Sequence, residues 1–303
     1  MLTSAQVWST ELSSSVPNVA QGSHSVFDPS KSSTFRKDPF LTWKISYGDK
    51  SSASGSVGTD VVSVGGLAIR DQTVELANSM SKQFVSNAGD GLLGLAFGTI
   101  NTVKPEPAKT PVENMILQED IPKSAELFTA YLTSAKDKEQ SFYTFGFIDE
   151  AIVRASGQEI SYAPVDNSSG FWMFDSACAA INGNLIQRSG NKAIADTGTT
   201  LALVDDATCK AIYAAIPGAF YDSGSQGYIF PSDLKPQDLP TVTFAVGDRQ
   251  IAVRKSDLGF AEAKPGYVFG GIQSRGTSSF DILGDTFLKA IYAVFAQLTL
   301  SSS

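Results

Sequence analysis

The sequence predicts an all-β protein of two lobes, and three observations carry that prediction. Short alternating or apolar runs separated by Gly, Ser and Asp turns fill most of the chain. Helix signals are few and brief. A pattern also recurs between the halves: Asp281-Ile282-Leu283-Gly284 has a counterpart in Gly91-Leu92-Leu93-Gly94. The chain has 303 residues, enough for two packed units. Strands of this length joined by tight turns form barrel-like or sandwich lobes. The repeat places the lobe boundary near Asp149–Gly157, giving lobes over 1–152 and 153–303.

Each element has a local reason. Leu41-Thr42-Trp43-Lys44-Ile45-Ser46-Tyr47 alternates apolar and polar side chains, Gly48-Asp49 supplies a turn, and Ser54–Ser63 returns, which reads as a long hairpin. Val61–Val64, Gly65-Gly66 and Leu67–Leu76 read as the next one. Thr110-Pro111-Val112-Glu113 is a capping box with proline at the first helical position, so a helix runs to about Gln118. Strands follow at Leu127–Thr133, Ser141–Phe147, Gly170–Ile181 and Asn191–Ala195. Asp205 or Asp206 caps a second helix that stops near Pro217-Gly218. The last strands are Thr241–Val246 and Gln250–Val253.

Composition narrows the function classes. Hydrophobic residues make up 42% and charged residues 18%, as in an ordinary globular protein. The net charge of −8 and sequence pI of about 4.7 argue against nucleic acid or an anionic membrane as partner. Ala290–Ala296 is the longest apolar stretch of the tail and has strand length, not membrane length. The first eight residues show neither a basic nor an apolar leader region, so a cytoplasmic location is expected, or an extracellular one if the natural N-terminus differs. Two cysteines, Cys178 and Cys209, make no disulfide framework. Cys209 shares an apolar helix face with Ile212, Tyr213 and Ile216 and reads as a buried free thiol. The single histidine, His24, sits in a Ser/Gly-rich stretch and reads as a solvated loop residue. No metal or cofactor is expected.

The most informative segment is Asp196-Thr197-Gly198-Thr199-Thr200, set between the apolar runs Ala193–Ala195 and Leu201–Val204. Such a turn presents a carboxylate at the end of a strand. Together with Trp43–Asp49, with Gly89-Asp90-Gly91-Leu92-Leu93-Gly94-Leu95-Ala96-Phe97 and with Phe280–Lys289, it resembles the pepsin-like aspartic peptidases, fungal acid proteases most closely. The resemblance covers nearly the whole chain. It implies the bilobal pepsin-like fold, a cleft with two catalytic aspartates on its floor, and a flap at about residues 43–55. On this resemblance Asp196 is one catalytic aspartate and Tyr47 the flap tyrosine. Trp8 matches the tryptophan that the flap tyrosine contacts, and Gly48, Asp49, Gly198, Thr199 and Thr200 line the cleft.

The sequence departs from the family at its start. With Trp8 fixing the alignment, Met1-Leu2-Thr3 stands where the family has its first Asp-Thr-Gly, and the preceding strand is missing. The second lobe's usual disulfide positions hold Ser232 and Val268, and Lys50 takes the place of a flap glycine. The chain therefore reads as N-terminally truncated and without its first catalytic aspartate. Two carboxylates sharing one proton divide the acid and base roles of peptide hydrolysis, and one alone cannot fill both. Asp49 on the flap implied by the resemblance, and Asp205 and Asp206 after the turn, are the substitute carboxylates, the last two reading as helix caps. The leading expectation is a non-proteolytic protein whose cleft binds an apolar small molecule or extended peptide. It would catalyse a non-hydrolytic step, such as cyclisation or isomerisation in fungal small-molecule biosynthesis. The alternatives are a pepsin-like acid endopeptidase seen as a truncated chain, and a non-catalytic binding pseudopeptidase. The uncovered strand edge left by the missing first strand predicts a homodimer.

Overall fold

The computed structural model of the protein describes residues 5–8, 24–86, 89–134 and 137–297. The chain packs as two compact units, one reaching to Glu126 and one spanning Leu127–Gln297. Met1, Leu2 and Thr3 lie outside the described residues, as does the side chain of Trp8.

The first unit holds one six-stranded sheet. Its strands are β1 (Ala5–Trp8), β2 (Arg36–Ser46), β3 (Ser52–Val64), β4 (Leu67–Met80), β5 (Gly91–Leu93) and β6 (Val103–Lys104), in the spatial order β5-β1-β4-β3-β2-β6. The two expected hairpins are β2–β3 and β3–β4. Strand β3 joins them because Gly65 and Gly66 both take left-handed φ angles, +57° and +85°, between Val64 and Leu67. Alternation along these strands buries Trp43, Ala53, Val57 and Ala77 against Val103. Helix α1 (Lys82–Ser86) is a single turn. Helix α2 (Pro111–Leu117) starts as its sequence dictates, with both arms of the capping box formed between Thr110 and Glu113.

The second unit contains β7 (Leu127–Tyr131), β8 (Phe142–Phe145), β9 (Met173–Asp175), β10 (Cys178–Ile181), β11 (Asn184–Gln187), β12 (Lys192–Ala195) and β13 (Ala202–Val204). There follow β14 (Phe220–Asp222), β15 (Gly227–Pro231), β16 (Val242–Val246), β17 (Arg249–Ala252), β18 (Gly259–Lys264) and β19 (Tyr267–Gly270). The last are β20 (Ile272–Ser274), β21 (Asp281–Leu283) and β22 (Tyr292–Ala296). Its helices are α3 (Glu150–Ser156), α4 (Asp206–Ala214) and α5 (Asp285–Leu288). The five-stranded sheet β20-β13-β21-β12-β9 carries the site, and three smaller sheets surround its core. Helix α4 is capped by Asp205, whose carboxylate accepts the Thr208 N–H at 2.9 Å, and it buries Cys209, Ile212 and Tyr213 as expected. Both cysteines are free, and burial pushes the Cys209 thiol up to about 12.

The internal repeat has a counterpart in strand topology. In the second unit β13 runs parallel to β20 and antiparallel to β21. In the first, β1 runs parallel to β4 and antiparallel to β5. The Gly91-Leu92-Leu93 and Asp281-Ile282-Leu283 segments thus occupy like places beside a middle strand.

Two expectations need correction. The expected continuous strand Gly170–Ile181 is two strands, because the chain changes sheets at Ser176. The carbonyl there accepts from Arg188 Nη2 at 3.1 Å and Asn191 Nδ2 at 3.2 Å instead of a ladder partner. His24 is not solvated: its side chain is 5% exposed and lies 3.4 Å from Asp90. By packing, the second unit begins at Leu127, where β7 pairs with β22 along its whole length.

Candidate active site

Asp196 closes β12 and is 5% exposed. Its strand pairs in parallel with β21, which in turn pairs antiparallel with β13, so the turn from Asp196 to Leu201 lies over the end of β21. Backbone bonds pin it there. Asp196 N–H donates to Leu283 O at 3.2 Å, Asp285 N–H to Thr199 O at 2.8 Å and Thr286 N–H to Thr200 O at 3.0 Å. Gly284 is required by this approach, since a Cβ at that position would sit 2.0 Å from Thr199 O.

The same turn fixes the Asp196 carboxylate. Oδ1 accepts the Gly198 N–H at 2.9 Å and Oδ2 accepts the Thr199 hydroxyl at 2.8 Å. These donors, one from the backbone and one from a side chain, set the rotamer of a nearly buried acid. Gly198 and Thr199 therefore act directly on the carboxylate. Thr200 acts through its backbone, its carbonyl accepting both the N–H and the hydroxyl of Thr286.

Two groups beside Asp196 were not singled out from the sequence. Asp285 opens α5 with one carboxylate oxygen, Oδ1, buried and without a hydrogen-bond partner among the described residues. Burial pushes its carboxyl up to about 6; the Asp196 charge adds to the rise and Lys289 opposes it. Tyr143 of β8 interacts with the Thr197 side chain, and burial raises its phenol, with the charges of Asp285 and Asp196 acting in the same direction. Asp285 stands in a motif quoted for the resemblance, but nothing local marks it as buried. Tyr143 reads as one more strand residue.

The raised Asp285 has a consequence for stability. Its folded-state pKa lies above the unfolded value, so its contribution is fully present below about pH 4 and lost as pH rises through about 6. Asp285→Asn is expected to remove this loss. It should raise stability at pH 7 by roughly 1–2 kcal/mol, allowing for partial solvent screening, with little change at pH 3.5. Thermal unfolding at the two pH values measures it, and an equal change at both would contradict the assignment.

In the first unit, Tyr47 sits at the tip of the β2–β3 hairpin. Its N–H donates to Ser51 O at 2.9 Å, and Lys50 N–H donates back to Tyr47 O at 3.0 Å. Lys50 takes φ +67°, which accounts for the glycine usual at this place in the family resemblance. Asp49 accepts from both the N–H and the hydroxyl of Ser51, at 2.9 and 2.6 Å, and these bonds hold its carboxyl below the usual range. Asp49 is thus a turn-forming residue. Asp206 likewise accepts from the Ser274 hydroxyl and Asp205 caps α4, so none of the three is set up as a partner for Asp196. Gly48 has open space around it. The tyrosine hydroxyl donates to Gln6 Oε1 at 3.0 Å. The expected contact with the Trp8 side chain lies outside the described residues.

The sequence model of the eukaryotic aspartyl protease family matches residues 3–301. The chain belongs to that family. Among relatives, it is 42% identical to a putative aspergillopepsin A-like aspartic endopeptidase of Aspergillus fumigatus, over 96% of this chain and 67% of the relative. It is 41% identical to aspergillopepsin-1 of Aspergillus oryzae, over 96% of this chain and 70% of that protein. It is also 41% identical to penicillopepsin-1 of Talaromyces stipitatus, over 90% of this chain and 66% of that protein. These place the chain in the pepsin-like, fungal-type aspartic peptidase family, with the mostly β architecture described above. The positions of the usual second-lobe disulfide, Ser232 and Val268, fall on neighbouring chain segments: Val268 pairs with Phe230, and the Ser232 N–H donates to Gly266 O at 3.0 Å. Backbone pairing therefore joins the two segments here without the covalent link.

Proposed function

We propose that this chain carries an aspartic endopeptidase site of the pepsin type, acting on extended peptides at acid pH, in which Asp196 is one of two carboxylates. The observation that carries the reading is the Asp196 turn: an almost buried acid at the end of a strand, held by a backbone N–H and a hydroxyl. The family's chemistry assigns its two carboxylates one shared proton. The ionised acid takes a proton from water as the oxygen adds to the peptide carbonyl. The protonated acid donates to the carbonyl oxygen, and collapse of the adduct breaks the C–N bond with a proton passing to the leaving amine.

The names of the relatives, all endopeptidases of this type, support hydrolysis over cyclisation or isomerisation. The non-hydrolytic expectation rests on several departures from the family, among them Met1 at the aligned first-aspartate position and Ser232 and Val268 at the disulfide positions. As an acid endopeptidase the protein would work outside the cytosol, which favours the extracellular alternative over the cytoplasmic expectation.

The test compares the chain as it stands with a form carrying Asp-Thr-Gly in place of Met1-Leu2-Thr3 behind a new start methionine. Acid-denatured haemoglobin is the substrate and pepstatin the control. Pepstatin-sensitive cleavage by the second form is the expected result. If both forms are folded and neither cleaves at any pH between about 2.5 and 5.5, a range set by ordinary carboxylate pKa values, the endopeptidase reading fails.

A further inference from the structure

A buried polar chain runs inward from Tyr47 and is not explained by the site chemistry. Glu75, in the middle of β4, is fully buried, and Gln6 on the adjoining β1 is 2% exposed. A carboxylate at such a position must be met by donors. Asn101 provides one: its amide nitrogen reaches Glu75 Oε1 at 3.3 Å. The orientation of that amide is fixed, because its oxygen accepts the N–H groups of Val103 and Ala108, both at 2.9 Å. Gln6 Nε2 donates to the other oxygen, Oε2, at 2.9 Å.

The polarity of the chain is set by its hydrogen bonds: the Gln6 amide turns its nitrogen to Glu75 and its oxygen away. That oxygen receives the Tyr47 hydroxyl at 3.0 Å, and the Phe84 ring meets the Tyr47 ring edge-on, 5.4 Å between centroids. A phenol has one proton. With that proton committed to Gln6, the Tyr47 oxygen can only accept from any other group.

We propose that Gln6 and Glu75 are positioning residues that hold the Tyr47 hydroxyl proton inward, so that its oxygen meets a peptide substrate as an acceptor for a backbone N–H. This rests on the proposed reading of Tyr47 as the flap tyrosine that touches substrate. Gln6 and Glu75 touch no substrate themselves. A glutamine at 75 could present either end of its amide, so the direction of the chain would no longer be dictated. Burial raises the Tyr47 phenol well above its ordinary value, and the charges of Glu75 and Asp49 push it further.

The test is carbon NMR of the full chain labelled at the tyrosine ζ-carbon, with the Tyr47 signal among the nine tyrosines identified by its loss in Tyr47→Phe. In the parent chain this signal stays flat with pH while exposed tyrosines titrate near about pH 10. Glu75→Gln and Gln6→Met should each shift it, and Glu75→Gln should bring its titration down towards that of the exposed tyrosines. Pepstatin titrated into the same variants made in the form carrying Asp-Thr-Gly should bind about five- to tenfold more weakly to Glu75→Gln. If the Tyr47 signal and its titration match the parent in both folded variants, the positioning role is overturned. Gln6→Met, close to glutamine in volume, carries the test if Glu75→Gln does not fold. Unchanged pepstatin affinity in Tyr47→Phe would instead overturn Tyr47 as a substrate contact, and with it the acceptor role. The labelled signal would still report whether Gln6 and Glu75 hold the phenol.

Discussion

Asp196→Asn, made in the form that carries both carboxylates, is expected to lower peptide cleavage by about a thousandfold or more. The argument is chemical and local. Asparagine keeps the size of the side chain, and its oxygen can still accept the Gly198 N–H. Its nitrogen cannot accept the Thr199 hydroxyl that now donates to Oδ2. The amide neither takes up nor releases a proton in the working range, so one role of the acid–base pair disappears. The backbone bonds that hold the turn, from Asp196, Asp285 and Thr286, do not involve this side chain. The thermal midpoint should therefore move little while turnover of a fluorogenic peptide collapses. Activity within tenfold of the parent, in a folded variant, would place the catalytic carboxylate elsewhere.

Asp281→Ala is the second large effect, and it is one of stability. Asp281 on β21 is fully buried, and three groups converge on it. Arg188 donates to Oδ2, Asn191 Nδ2 to Oδ2 at 3.0 Å, and Arg275 Nη1 to Oδ1 at 2.6 Å. Arg188 is itself 8% exposed and also holds the Ser176 carbonyl and hydroxyl, at 3.1 and 3.0 Å, with its guanidinium 5.4 Å from the centre of the Phe244 ring. Among the described residues, removing the acid leaves the buried guanidinium with the more distant Asp205, at 3.4 Å, as its counter-charge. Breaking a buried pair in this way costs about 3–5 kcal/mol. For a unit of this size that is roughly 10 °C in thermal midpoint. Because Asp281 sits opposite Ala193 in the ladder that carries Asp196, local loosening should also reach the site. Circular dichroism melts of Asp281→Ala against an exposed control, Asp248→Ala, measure the effect. A difference below about 1 kcal/mol, the range of exposed pairs, would mean the cluster is solvated in solution.

Much of the site was legible in the sequence because its parts act over a few residues. The Asp196 turn, the β2–β3 hairpin with Tyr47 near its tip and the capping box of α2 are all made from bonds between neighbours in the chain. The partners that modify these groups were not legible. Asp285 lies 89 positions from Asp196, and no local pattern says that its carboxylate loses its water. Gln6 and Glu75 meet across 69 positions, and each alone reads as an ordinary polar strand residue. His24 reads as a solvated loop residue because its neighbours are small and polar, yet its side chain is buried beside Asp90.

By itself the sequence determined the all-β class, the two-fold repeat, the family and the aspartate to examine. These follow from turn chemistry, side-chain alternation and a motif, all of which are local properties. Only the tertiary structure decided which polar groups leave water. Burial depends on what the rest of the chain brings to a side chain. It raised Asp285 beside Asp196, tied Tyr47 to Glu75 through Gln6, and gathered two arginines around Asp281 under the strand that holds the site.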